Sequence, residues 1–371
     1  MKTKTLIAAF IISLGALGHS HAQTWINKSP LPAATHVNGG RSFGVASLDG
    51  TFYVVGGLNW PSAISSVIQY NPSSDTWTNR ASMSVPRYAP AAVALNGKIY
   101  AIGGQNNSGV LSTMEEYDPV SNTWTNRASM SQSRYAYQAV ALNGKIYAIG
   151  GQGPGDVPLA TVEEYDPIFN TWTTKSNMPG GRVSFATSVV QGKIYVLGGR
   201  IVNTPIPEVY EYDPISNMWA IKAPIPSPRE TLAAVAVNGN ILTLGGTSPG
   251  TPRASVEEYS PASDVWVTQP ELPSTRNECF SVLLDSVLYV FGGYDNNTMQ
   301  ARILAPGLNI YTAVELECLT QAGMVYQVQA SPNLTTWTNL DSTFSGDGNV
   351  WRKLYSTRNQ NQLFYRLKQN P

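Results

Sequence analysis

Lys98-Ile99-Tyr100-Ala101-Ile102-Gly103-Gly104 is a short apolar run closed by two glycines, and it does not occur only once. The same shape returns at Lys145-Ile146-Tyr147-Ala148-Ile149-Gly150-Gly151 and at Lys193-Ile194-Tyr195-Val196-Leu197-Gly198-Gly199. In all, six glycine pairs begin at Gly56, Gly103, Gly150, Gly198, Gly245 and Gly292, at intervals of 47, 47, 48, 47 and 47 residues. A fixed period of this size marks a repeat architecture. A tyrosine follows each of the first five pairs (Tyr70, Tyr117, Tyr165, Tyr212, Tyr259), and a tryptophan stands seven residues beyond it (Trp77, Trp124, Trp172, Trp219, Trp266).

Working outward from the second pair, the pattern alternates with period two between turn residues, which reads as strands. Ala91 to Leu95 forms an inner strand a, Asn96-Gly97 a tight hairpin turn, and Lys98 to Gly103 strand b. Thr113 to Tyr117 forms strand c, Asp118-Pro119 opens a turn, and Trp124 lies at the start of strand d. Four antiparallel strands per repeat make one propeller blade.

A diglycine after an apolar strand, with spaced Tyr and Trp, resembles the kelch repeat over roughly residues 24 to 305. The expected fold is all-β: a six-bladed kelch-type β-propeller. Six diglycines are matched by only five internal Tyr-Trp units, and Met299 to Leu304 is the expected c strand of the last blade. Thr24-Trp25, ahead of the first repeat, then supplies the missing d strand and closes the ring. The Tyr and Trp columns are expected between blades, as core. After Leu308 the period ends. Strand-like segments at Ala313 to Leu319, Val325 to Ala330 and Leu363 to Leu367 resemble a small C-terminal β module of the kind appended to exported bacterial proteins. The expected domains are 1–22, 23–308 and 309–371.

Residues 1–22 read as a secretory signal peptide, with Lys2 and Lys4, an apolar Leu6–Leu17 and a small-x-small end at Ser20-His21-Ala22. An exported protein follows: periplasmic, extracellular or at the cell surface, with no membrane span, and expected to be a monomer. Beyond residue 22 the chain carries 22 basic against 24 acidic residues, without the basic excess of a nucleic-acid footprint. Only His36 remains beyond that leader, so the paired histidine ligands of a galactose-oxidase-like copper site are missing, and no cofactor is expected. Cys279 and Cys318 are the two cysteines of the chain. They are read either as a bridge from propeller to module or as unpaired, Cys279 occupying the apolar place of Pro90, Tyr137, Phe185 and Leu232.

Connectivity divides a propeller into two faces. The a–b and c–d turns are nearly uniform here, whereas the d–a and b–c loops differ in every blade. Residues 76–105 and 123–152 agree at 26 of 30 positions, and the four differences (Val85/Gln132, Pro86/Ser133, Pro90/Tyr137, Ala91/Gln138) fall on the d–a loop or the start of strand a. The variable face is therefore the expected site. A column of arginines (Arg41, Arg87, Arg134, Arg182, Arg229, Arg276) stands before the inner strands, and is read either as an anion-attracting rim or as scaffold paired with Glu116, Glu164, Glu211 and Glu258. Arg41 and Arg276 lack an obvious carboxylate and are the expected free members. Trp60, Tyr88, Tyr135 and Tyr294 are the candidate aromatic contacts. Two functions stay open. One is a non-catalytic binding propeller for a glycan or protein ligand. The other is an enzyme like the bacterial sialic-acid mutarotases, also exported six-bladed kelch propellers, with Glu230 or Glu278 as acid/base.

Overall fold

The structure, a computed structural model, describes residues 25–32, 42–284, 287–295, 298–299 and 303–306 of the repeat region. Beyond it, residues 313–319, 325–331, 338–339, 343–345, 350–356 and 364–370 are described. The expected leader lies outside the described residues. Six antiparallel sheets surround a central channel, their inner strands being Gly44–Leu48, Ala91–Leu95, Gln138–Leu142, Ala186–Val190, Ala233–Val237 and Asn277–Leu284. These begin blades 1 to 6. Blade 2 continues through Lys98–Ile102, Met114–Asp118 and Thr123–Arg127, as its sequence pattern predicts to within a residue. The expected a–b turns hold: Asn96 and Gly97 have φ of 51° and 73°, the double left-handed geometry of a tight hairpin.

The last blade is completed by the N-terminus. Trp25–Lys28 pairs antiparallel with Ile303–Pro306, Trp25 facing Pro306 and Lys28 facing Ile303. In blade 2 the corresponding pair is Tyr117 with Trp124. Trp25 thus takes the register of the periodic tryptophan, and Pro306 that of the tyrosine. One expectation needs correction: the c strand is Ile303–Pro306, not Met299 to Leu304, because Thr298–Met299 turns back onto the end of strand Val287–Asp295.

The tyrosine and tryptophan columns bind neighbouring blades. Tyr117 is fully buried, and its hydroxyl donates to Asn122 Oδ1 at 2.7 Å. Asn122 Oδ1 also accepts the N–H of Ala81 of blade 1 at 2.9 Å, while Trp124 Nε1 donates to the carbonyl of the same Ala81 at 2.7 Å. One residue of blade 1 is thus gripped on both its peptide groups by the next blade. Ala128, Ser176 and Ala223 are held in the same way by Asn170/Trp172, Asn217/Trp219 and Asp264/Trp266. Each grip satisfies both the N–H and the carbonyl of the gripped residue.

The diglycines allow close approach. Gly104 N donates to the Arg134 carbonyl of the following blade at 2.9 Å, and a Cβ on Gly103 would lie 2.7 Å from that oxygen. Both glycines have positive φ, which a side chain would strain.

Beyond the ring, Ala313–Leu319 pairs with Val350–Ser356, and Val325–Ser331 pairs with Phe364–Asn370. Cys279 is a buried free thiol, its Sγ 3.8 Å from the Leu244 carbonyl, so the bridge to Cys318 is not made. Among the described residues no helix is long and apolar enough to cross a membrane.

Candidate functional site at the channel mouth

The arginine column does not line the mouth. Arg87, Arg134, Arg182, Arg229 and Arg276 are all at most 2% exposed. Arg87 donates to the carbonyls of Gly103 at 2.8 Å and Thr113 at 3.0 Å, and pairs with Glu115 at 2.9 Å. Arg134 repeats this with Gly150, Thr161 and Glu163, the ion pair being 2.7 Å. Arg229 pairs with Glu257 at 3.1 Å. Arg276, expected to be free, donates to Gly292 O at 2.8 Å. These arginines tie the d–a loop to the diglycine and to strand c, so they belong to the scaffold. Arg41 lies outside the described residues.

The partners also differ from expectation by one residue. Adjacent side chains on a strand point to opposite faces. Glu115, Glu163 and Glu257 face the arginines, whereas Glu116 pairs with Arg127 at 2.8 Å, Glu164 with Lys175 at 3.1 Å and Glu211 with Lys222 at 3.4 Å. Glu258 accepts from Asn240 and Gln269, each at 2.6 Å. Burial pushes the Glu115 carboxyl up, but Ser84, through N–H and hydroxyl at 2.7 Å each, and Arg87 outweigh it and hold it below the usual range. Blade 4 breaks the pattern. Tyr210 stands where the glutamate would be, with the Arg182 guanidinium 4.1 Å from its ring centroid, and burial draws that arginine's pKa down.

The channel has a volume of ≈330 Å³ between the six inner strands. At its mouth Ser42, Ala89, Ala136, Ser184, Thr231 and Glu278 all have positive φ, between 47° and 56°. Backbone bonds run from blade to blade through them: Ser184 N to Ala136 O at 3.1 Å, Thr231 N to Ser184 O at 2.7 Å, Glu278 N to Thr231 O at 3.0 Å. These bonds hold non-glycine residues in a conformation they rarely adopt.

Just outside this ring lie the side chains that can meet a ligand. Tyr88 and Tyr135 are half-buried and packed edge to face, centroids 6.3 Å apart. The Tyr135 hydroxyl donates to Asp156 Oδ1 at 2.9 Å, and burial with that carboxylate pushes its pKa up to about 12. Arg200 Nε stands 3.2 Å from Glu230 Oε2. Burial raises the Glu230 carboxyl; Arg200 opposes this and the charge of Glu278 adds to it. Glu278 Oε2 lies 3.5 Å from Ser42 Oγ. Trp60, 72% exposed, tips the hairpin of Leu58–Asn59 and Ser62–Ala63 on the same face. Tyr294 is placed only by register, opposite Asn277.

Arg200 escaped the reading of the arginine column because it belongs to another. It follows a diglycine directly, in the place of Leu58, Gln105, Gln152, Thr247 and Tyr294. Aligning that column by the repeat period is the signal that finds it. Among the described residues no cluster of three His, Cys, Asp or Glu could hold a metal ion.

The Attractin/LZTR1 beta-propeller family model matches residues 52–304. A solved structure described as "Structure of YjhT" superposes with a TM-score of 0.62 at 18% sequence identity, covering 75% of this chain and 96% of that chain. At that identity the likeness concerns the fold alone. No curated protein matches the chain in sequence. With more than half its length matched by the family model and six kelch-type blades in its structure, the chain belongs to the Attractin/LZTR1 β-propeller family.

Proposed function

We propose that the chain is an exported, non-catalytic binding propeller that recognises a glycan through its variable face. The observation that carries this reading is the Tyr88–Tyr135 pair at the channel mouth, next to the Arg200–Glu230 ion pair. Tyrosine rings offer flat apolar faces for the C–H side of a sugar, and the carboxylates and guanidinium offer acceptors and donors for its hydroxyls. Asp156, Glu230 and Glu278 outnumber Arg200 among the described mouth residues, so a neutral sugar suits this mouth better than an acidic one. The domain plan that goes with this reading is a leader 1–22, a propeller 23–308 and a C-terminal module 309–371, and N-terminal sequencing of the exported chain should begin at Gln23. A glycan array with the intact chain and with the Tyr88→Ala/Tyr135→Ala double variant tests the site. Binding should be lost in the variant while its melting temperature is kept. Unchanged binding by the variant, or no binding by the intact chain, overturns the reading.

A sugar mutarotase, acting on an acidic sugar such as sialic acid, is the second reading. One observation favours it: a carboxyl with a raised pKa, Glu230, stands by a second carboxylate, Glu278, at the mouth. Environments that push two carboxyls apart can divide acid and base roles between them. Anomeric exchange of N-acetylneuraminate followed by NMR decides it. Acceleration abolished by Glu230→Gln and Glu278→Gln supports catalysis, and its absence in the wild type rejects it.

A further inference from the structure

The blade-to-blade grip has one gap. The gripped residue always follows strand d directly: Ser29, Ala81, Ala128, Ser176 and Ala223. In blade 5, strand d is Val265–Gln269, so the residue in that place is Pro270. A proline has no N–H to donate. The gripping side is altered as well. Blade 6 carries Pro306 at the tyrosine's register, so no tyrosine hydroxyl stands there, and its strands c and d are distant segments of the chain. The N–H of the gripped residue and the tyrosine of the gripping blade are therefore both missing at the same seam, for reasons set by residue type and register.

We propose that the propeller ring opens at the seam between blades 5 and 6, from its outer corner inward, and not at the N-terminal closure. The inner part of this seam keeps its bonds: Gly246 N donates to Arg276 O at 2.6 Å and Glu278 N to Thr231 O at 3.0 Å. These bonds form a hinge beside the channel. The seam between blades 6 and 1, by contrast, keeps the full grip on Ser29. Opening has a consequence for the mouth, since Glu230 precedes the inner strand of blade 5 and Glu278 lies on that of blade 6. That consequence rests on the proposed function; the opening itself does not.

Cys279 reports on the seam from inside it, buried against blade 5 with its Sγ 3.3 Å from where a Cβ on Gly245 would stand. Phe185 and Leu232 occupy the same place at the seams between blades 3 and 4 and blades 4 and 5, where the grips on Ser176 and Ala223 are intact. The experiment is iodoacetamide labelling of the full chain under native conditions, read peptide by peptide by mass spectrometry so that Cys318 is counted separately. Each rate is normalised to the same site in denaturant. In a Cys279→Ala background, Leu232→Cys and Phe185→Cys provide the comparison, two variants guarding against one that fails to fold. Cys279 should label at least tenfold faster than either. Adding Asp264→Ala to the Leu232→Cys chain removes the acceptor of that seam's grip and should raise its rate severalfold. Equal rates at the three sites, or a Cys279 rate no faster than global unfolding, overturns the proposal. So does an Asp264→Ala chain that labels no faster than its parent.

Discussion

Ser29 and Asp75 hold each other twice: the Ser29 N–H donates to Asp75 Oδ1 at 2.9 Å, and the Ser29 hydroxyl donates to the Asp75 carbonyl at 2.8 Å. Trp77 Nε1 adds a third bond, to the Ser29 carbonyl at 3.1 Å. The N-terminal strand is thereby fixed to blade 6 by its sheet pairing and to blade 1 by the grip that joins the internal blades. Deleting Gln23 to Lys28 should destabilise the whole ring, not fray one end, since it bares a sheet edge and leaves blade 6 incomplete. Thermal unfolding and analytical ultracentrifugation check this. An unchanged melting temperature with a monomeric species would show that closure is not needed.

Asp75→Ala should lose about 1–3 kcal/mol, the cost of leaving buried donors unpaired. Tyr70 and Ser29 both lose their acceptor in this variant. Denaturant unfolding measures it. A loss as small as that of an exposed control such as Ser73→Ala would remove the grip from the account of stability.

The arginines now predict stability and not affinity. Arg134→Ala leaves the buried Glu163 carboxylate without its ion-pair partner and should cost about 3–5 kcal/mol, enough to unfold a large share of the protein. Glu163→Gln should cost less, since the amide still meets one backbone donor. Circular dichroism melts separate the two. Weakened ligand binding by folded Arg134→Ala, at unchanged melting temperature, would return this residue to the site.

Acid should loosen the d–a loops. The Glu115 carboxyl lies below its ordinary value because Ser84 and Arg87 outweigh the effect of burial. A carboxyl whose folded pKa is depressed adds stability above its unfolded pKa, about 4.3 for glutamate, and that stability is lost as pH falls through the folded value. Unfolding free energy should therefore drop between about pH 5 and 3, and the drop should shrink in Glu115→Gln. An equal drop in that variant would assign the effect to other carboxyls.

The two faces should respond in opposite ways. Asn96→Ala places alanine at a φ of 51° in a uniform turn and should cost about 1–2 kcal/mol of stability while leaving binding intact. Tyr135→Ala should abolish glycan binding and spare the fold. Calorimetric titration and melting of both variants check the pair; binding lost in folded Asn96→Ala would place the site on the turn face.

How much of this was legible in the residues varies with the range of the interaction involved. The period of the diglycines, the Asn96-Gly97 turn and the alternation of Ala91 to Leu95 are local, because strand, turn and repeat each follow from neighbours in the chain. Even ring closure could be counted, since six diglycines face five Tyr-Trp units. The candidate site was not legible in the same way. The arginine column was visible, but whether it faced solvent or packed inward depends on the blade folded over it. Glu115 and Glu116 show the limit clearly. They are adjacent and identical in type, and a strand sends one to Arg87 and the other to Arg127; only the register of the sheet decides which.

The sequence by itself therefore determined the repeat, its strands and the number of blades, because these rest on short-range periodicity. The tertiary structure alone decided that the arginines belong to the scaffold and that Arg200, Glu230 and Glu278 meet at one mouth. Those residues come from three blades, and ring geometry, not chain proximity, brings them together.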